Sequence, residues 1–223
     1  MISSEIQVAE DPFELISATR IRLRRSSPFF AALALYASIE FSKEVAIAAT
    51  DGSKILFNPD TYTVYPALER DAIFLHELLH IALLHPIRRG ARDPYIFNIA
   101  ADIVVNGMIA AETDISLPKD ATREPELEHL SVEEIYEILI KNVKYKKHQK
   151  KLFIVDILDP ERDSKNTNNE SKDLEDLNKR YAIEGYWKKA IGDSLVIARS
   201  SGDSNLPPVF KRHLEEICKP QVN

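Results

Sequence analysis

His76-Glu77-Leu78-Leu79-His80 is the segment whose residue types and spacing could do chemistry. A helix turns about 100° per residue, so imidazoles four positions apart stand about 40° apart on one face and can grip a single metal ion. Glu77 is displaced from that line, where a carboxylate can take the proton from a water acidified by the metal. Imidazole nitrogens with one carboxylate suit zinc, which binds such donors tetrahedrally and in catalytic sites keeps one position for water. The surrounding helix is apolar (Phe74, Leu75, Leu78, Leu79, Ile81, Leu83). Two histidines and a glutamate are costly to bury there unless they bind an ion or one another.

A third protein ligand must come from elsewhere, and two residues compete. His85, nine residues after His76, falls on the opposite side of an unbroken helix. Pro86 permits a break, but the glycine with which metzincins turn a third histidine back is missing, and the spacing is one residue short. Asp102 lies 22 residues after His80 on the next helix, close to where gluzincins and aspzincins present a carboxylate, and it is the preferred ligand. Asn98, Asp102 and Asn106 form one polar stripe on an apolar helix, which places Asn98 and Asn106 as orienting neighbours. Arg88, in a loop with Arg89 and Arg92, could stabilise an oxyanion or a substrate carboxylate. Tyr65 or Tyr95 could donate to a tetrahedral intermediate, although tyrosines bordering a core more often pack.

The elements that must position these residues are readable in outline. Asp11-Pro12 starts a helix, Ser26-Ser27-Pro28 restarts it, and Phe29 to Phe41 reads as a buried helix, apolar nearly all round. Val45 to Thr50 and Ile55 to Asn58, separated by Asp51-Gly52-Ser53, read as a hairpin whose strands are edge candidates. Helices follow from about Tyr65 to Leu84, from Asn98 to Ala111, and from the capping box Ser131-Val132-Glu133-Glu134 to about Lys144. Residues 156–178 are dominated by Asp, Glu, Asn, Ser and Lys and read as a flexible linker. Beyond it, Tyr181 to Ser200 reads as a helix, and a last short one follows Pro207-Pro208. The expected organisation is therefore a domain over 1–155, a linker over 156–178 and a C-terminal helical segment over 179–223.

Composition bounds the function classes. The 223 residues carry 29 Lys+Arg against 35 Asp+Glu, a formal charge of −6, which argues against wrapping nucleic acid. The basic cluster Lys144 to Lys151, with Tyr145 and Phe153, is short and reads as a solvated helix end. The single cysteine, Cys218, cannot form an intrachain disulfide and favours a reducing compartment. Met1 to Asp11 lacks the apolar core of a signal peptide, and no stretch is apolar enough for a membrane span, so a cytoplasmic location is expected.

In this order the motifs resemble a bacterial family known as the putative metallopeptidase domain, which usually precedes a von Willebrand factor A-like domain. The resemblance rests on Ser27-Pro28-Phe29-Phe30, Ala49-Thr50-Asp51-Gly52 with Phe57-Asn58-Pro59, and His76 to His80 followed by His85 and Arg88. It continues through Asn98-Ile99-Ala100-Ala101-Asp102 with Asn106, and Leu130 to Tyr136. It implies a zincin-like α+β fold in which the edge strand of a small sheet borders the active-site helix and can pair with an extended peptide. The expected activity is zinc-dependent peptide hydrolysis, with His76, His80 and Asp102 as ligands and Glu77 as general base. The alternative is a weak or inactive scaffold acting with a partner such as an AAA-type ATPase or a von Willebrand-like protein. In the family, the segment like Leu214 to Val222 leads into the von Willebrand-like domain, whereas this sequence stops at Asn223, so either it is a truncation or that domain is absent, and the domain's partner contacts are not assumed.

Overall fold

The computed structural model describes residues 11–111, 115–142, 155–159, 170–202, 210–212 and 214, and structural statements concern those residues. The architecture is α+β, mostly helical with one three-stranded sheet. Helix α1 (Pro12–Ser26) starts where Asp11 accepts a hydrogen bond from the Phe13 amide at 2.9 Å. Ser27 caps α2 (Pro28–Ala34), and both helices carry proline in the first turn, where no amide is needed.

The long helix expected over Phe29 to Phe41 is not formed. α2 stops at Ala34, the Leu35 side chain is 73% exposed, and Ser38–Phe41 is a strand, β1. Exposed Ser38 and Glu40 alternate with half-buried Ile39 and Phe41, the two-residue period of a strand covered on one face. β2 (Ala48–Thr50) and β3 (Lys54–Phe57) form the expected antiparallel hairpin. Its turn is held by Asp51 Oδ1, which accepts from the amides of Ser53 and Lys54 at 2.8 and 3.0 Å. Gly52 has φ +89°, a conformation that side chains disfavour. The sheet order is β1-β3-β2, so β3 is the central strand and not an edge: β1 runs parallel to it with Ile39 opposite Ile55.

After the short α3 (Pro59–Tyr62), helix α4 (Ala67–Ala82) carries the histidine motif through the core. A buried cluster ties α1 to it: Thr19 Oγ1 donates to Asp71 Oδ1 at 2.7 Å, and Arg22 grips both Asp71 oxygens at 2.6 Å. α4 ends where Leu84 takes a left-handed conformation, φ 59°. The chain restarts at His85-Pro86 as α5 (His85–Arg88), which takes in Arg88, a residue expected to lie in a loop. Asp93 caps α6 (Pro94–Ala110), accepting from the Ile96 amide at 2.9 Å. α6 is buried on nearly all sides, and each fully buried Phe, Leu or Ile contributes about 1.5 to 3 kcal/mol. Its burial thus offsets the cost of the polar stripe that it also carries. α7 (Val132–Lys141) begins at the capping box read from the sequence.

Residues 156 and 157 do not belong to a linker. Asp156 and Ile157 are buried, and Ile157 pairs with Thr50 as a parallel bridge on the outer side of β2. A carboxylate bound to an imidazole and a sealed isoleucine explain why a polar surrounding composition misleads here. Residues 160–169 lie outside the described part, and so does the basic cluster from Lys144 to Lys151. Helix α8 (Glu170–Ser200) begins earlier than expected and joins the main core: Trp187 Nε1 donates to the Gly52 carbonyl at 2.9 Å. Phe210, in the last helical stretch, packs on Phe29 and Phe30 at ring separations of 5.2 and 5.5 Å. No described helix is long and apolar enough to cross a membrane.

Candidate metal centre

α4 and α6 lie side by side and turn their polar residues toward each other. His76 Nε2 and His80 Nε2 are 2.8 Å apart, and Asp102 Oδ1 stands 3.7 Å from the first and 3.4 Å from the second. The Asp156 carboxylate joins them, its Oδ2 3.1 Å from His76 Nε2. Four donor atoms, from His76, His80, Asp102 and Asp156, thus lie within 4.8 Å of one another. Tetrahedral bonds of about 2.0 to 2.1 Å put donor atoms about 3.3 to 3.4 Å apart, a spacing that the separations of these donors bracket.

The neighbours aim the donors inward. Asn106 Nδ2 donates to the Thr122 carbonyl at 2.9 Å, which leaves Asn106 Oδ1 to accept from His76 Nδ1, also at 2.9 Å. With an ion bound, the His76 proton would stay on Nδ1, facing Asn106, and Nε2 would offer its lone pair to the cluster. Asn98 is a hub: its amide nitrogen donates to both Asp102 oxygens at 3.2 and 3.1 Å. Its oxygen accepts from the amides of Asp156 and Ile157, each at 3.1 Å. Both asparagines expected to orient the site therefore touch it.

His85, the competing ligand, stands behind the cluster. Its Nδ1 faces His80 Nδ1 at 2.9 Å, and it is not among the four converging donors. The left-handed Leu84 supplies the chain break that glycine provides elsewhere, but it delivers His85 to the far nitrogen of His80. Arg88 is also elsewhere: its guanidinium takes both Glu133 oxygens, at 3.1 and 2.6 Å, and donates to the Leu83 carbonyl at 3.2 Å. A cation clamped to α7 is not free to receive an oxyanion, so that expectation is corrected. Arg89 pairs with Asp159, and Arg92 lies over the rings of Phe97 and Tyr136, 5.9 Å from each centroid.

Asp156 escaped sequence reasoning because it was absorbed into the polar stretch that follows it. A signal was present: Leu152-Phe153-Ile154-Val155-Asp156-Ile157-Leu158 is a strand-like apolar run with one acid inside it.

A cavity of about 320 Å³ opens beside the cluster. His76, Glu77, Asp102 and Asp156 line one side, and Ile47, Ala48, Tyr65, Ile73 and Leu117 form much of the rest. Tyr65 thus borders the cavity, whereas Tyr95 is not among its lining residues. Glu77 is buried, and its Oε2 has no hydrogen-bond partner. Burial, aided by the charges of Asp156 and Asp102, raises its pKa well above the usual carboxylate range. Burial likewise raises that of Asp102. For Asp156 burial acts in the same direction, but the His76 hydrogen bond and the charges of His80 and His76 outweigh it and lower the pKa. Burial alone would lower the pKa of His76, yet the Asp156 hydrogen bond and the nearby carboxylates raise it to about 10. The cluster attracts positive charge, and Asp156 Oδ1, buried without a partner, is a further donor to a cation.

This combination, a helix pair facing His and Asp side chains toward one point beside a cavity, defines a candidate metal-dependent enzyme. The family described as "Putative metallopeptidase domain" matches residues 14–223, and the chain belongs to it. Comparison with curated proteins and with solved structures returned no match.

Proposed function

We propose that this chain is a zinc-dependent metallopeptidase of the HExxH type with a zincin-like fold, its ion held by His76, His80 and Asp102. One observation supports this above all: donor atoms from α4 and α6 converge beside a cavity lined by Glu77, a buried carboxylate with a free oxygen. Imidazole nitrogens and carboxylate oxygens at these separations suit zinc. Bound there, the ion would supply a Lewis acid that polarises a peptide carbonyl and acidifies a water. Glu77 would take a proton from the attacking water as the C–O bond forms and would pass it to the leaving amine nitrogen as the C–N bond breaks. Asn106 and His85 fix the rings of His76 and His80, and Asn98 fixes Asp102. Ile47, Ile73 and Leu117 offer an apolar wall to a side chain of a peptide or protein substrate, met in the cytoplasm.

A second reading is favoured by Asp156. Four protein donors are the pattern of a structural metal site, which would suit a silent scaffold working with a partner such as an AAA-type ATPase. Metal analysis tests the ligand set that both readings share. The wild type is expected to carry one zinc per chain, His76→Ala, His80→Ala and Asp102→Ala to lose it, and Glu77→Gln to keep it. Full zinc occupancy in His76→Ala and His80→Ala would contradict the assignment.

A further inference from the structure

We propose that residues 155–158 are a built-in occupant of the substrate position, with the Asp156 carboxylate as fourth ligand of the metal, so that the site stays closed until this segment is displaced. The inference rests on the metallopeptidase reading given above.

The position of the segment is the first argument. β3 covers one side of β2, and residues 156–158 add along the other. The Thr50 amide donates to the Asp156 carbonyl at 2.7 Å, and the Leu158 amide donates to the Thr50 carbonyl at 2.8 Å. These are the bonds that an extended peptide makes when it adds to a sheet edge, and Ala48 of the same strand lines the cavity beside the cluster. A substrate chain pairing with this edge and residues 156–158 would compete for the same backbone groups.

The carboxylate is the second argument. Asp156 reaches His76 Nε2 with Oδ2, while Oδ1 is buried with no hydrogen-bond partner. A buried oxygen left unpaired is costly, and structure alone does not account for it. A metal at the cluster does, because two imidazoles and two carboxylates complete a tetrahedron and neutralise a divalent cation. Catalytic zinc sites have three protein ligands and structural ones four, so Asp156 is the residue that separates a closed site from an open one.

Among the described residues, the segment has three further attachments. The Asn98 side chain receives the amides of Asp156 and Ile157, Ile157 fills a buried position, and the exposed Asp159 pairs with the buried Arg89. An entering strand can replace the Thr50 bonds one for one, and Val155 at the start of the segment and Asp159 just after it are both exposed.

The test uses the full chain with cobalt(II) in place of zinc, and azide as a small anionic probe of an accessible coordination position. The absorption spectrum of the wild type is expected to resist azide, whereas Asp156→Ala and the size-matched Asp156→Asn bind it at least tenfold more tightly. Equal azide affinity in the wild type and both variants would overturn the proposal. So would loss of cobalt from both variants when circular dichroism shows them folded, since Asp156 would then be a permanent structural ligand. Cleavage of an unfolded protein substrate is measured alongside. Azide gating by Asp156 with no cleavage by any form removes the peptidase reading and the substrate position with it, and overturns the proposal as stated, leaving Asp156 only as a displaceable fourth ligand. Glu77-dependent cleavage without azide gating overturns the proposal and leaves the peptidase reading standing.

Discussion

His80 and His85 face one another through their Nδ1 atoms at 2.9 Å, so a single proton lies between the two rings. When His80 offers Nε2 to a metal, that proton belongs to His80 and His85 accepts it. His85→Ala removes the acceptor without removing a ligand. Zinc affinity is expected to fall about 10- to 100-fold, with one zinc per chain still bound at saturation. Competition against a chromophoric chelator measures it, and unchanged affinity would mean that packing alone holds the His80 ring.

Asn98 joins Asp102 on α6 to the backbone of the Asp156 segment. Asn98→Ala leaves the amides of Asp156 and Ile157 without their acceptor, at a cost of about 1 to 3 kcal/mol for buried groups. Amide exchange at residues 156 and 157 is expected to quicken, and zinc affinity to fall. Exchange at the wild-type rate would show that the Thr50 pairing is sufficient.

Much of this arrangement was legible in the sequence, and the reasons are local. The His76 to His80 spacing and the Asn98, Asp102, Asn106 stripe are helical periodicities, so two faces that each need a polar partner can be matched from the sequence. The hairpin declared itself through Asp51-Gly52-Ser53. Illegible parts depend on long-range pairing. β1 is a strand because β3 accepts it in parallel register, while its apolar residues continue the pattern of α2. Asp156 is a site residue because Thr50 and Asn98, distant in sequence, bind its backbone. Leu84 adopts a left-handed conformation that nothing in its residue type announces.

Asp71 accepts from Thr19 and Arg22 and is only 2% exposed, so it fastens α1 to α4. Removing one partner of a buried ion pair costs about 3 to 5 kcal/mol, and the Arg22 side chain, 33% exposed, reduces this to about 2 to 3. Urea unfolding of Asp71→Ala should show that loss. Lys141→Ala, which breaks an exposed pair with Glu137, is expected to change stability by less than about 0.5 kcal/mol.

Three buried carboxylates, Glu77, Asp102 and Asp156, share one small volume, and a cation there offsets their mutual repulsion. Zinc at a thousandfold excess over its Kd is expected to stabilise the fold by about 4 kcal/mol, and a chelator to reverse the effect. Calorimetry with and without EDTA follows it. A melting temperature indifferent to both would mean that the cluster holds no ion.

Glu77→Gln separates chemistry from metal binding, because it keeps the size of the side chain and removes the base. The decisive measurement is cleavage of an unfolded protein substrate by zinc-loaded wild type and Glu77→Gln, with zinc stoichiometry determined on the same samples. The metallopeptidase account expects one zinc per chain in both and cleavage at least about a hundredfold slower in the variant. Equal cleavage by the two zinc-loaded proteins would contradict it.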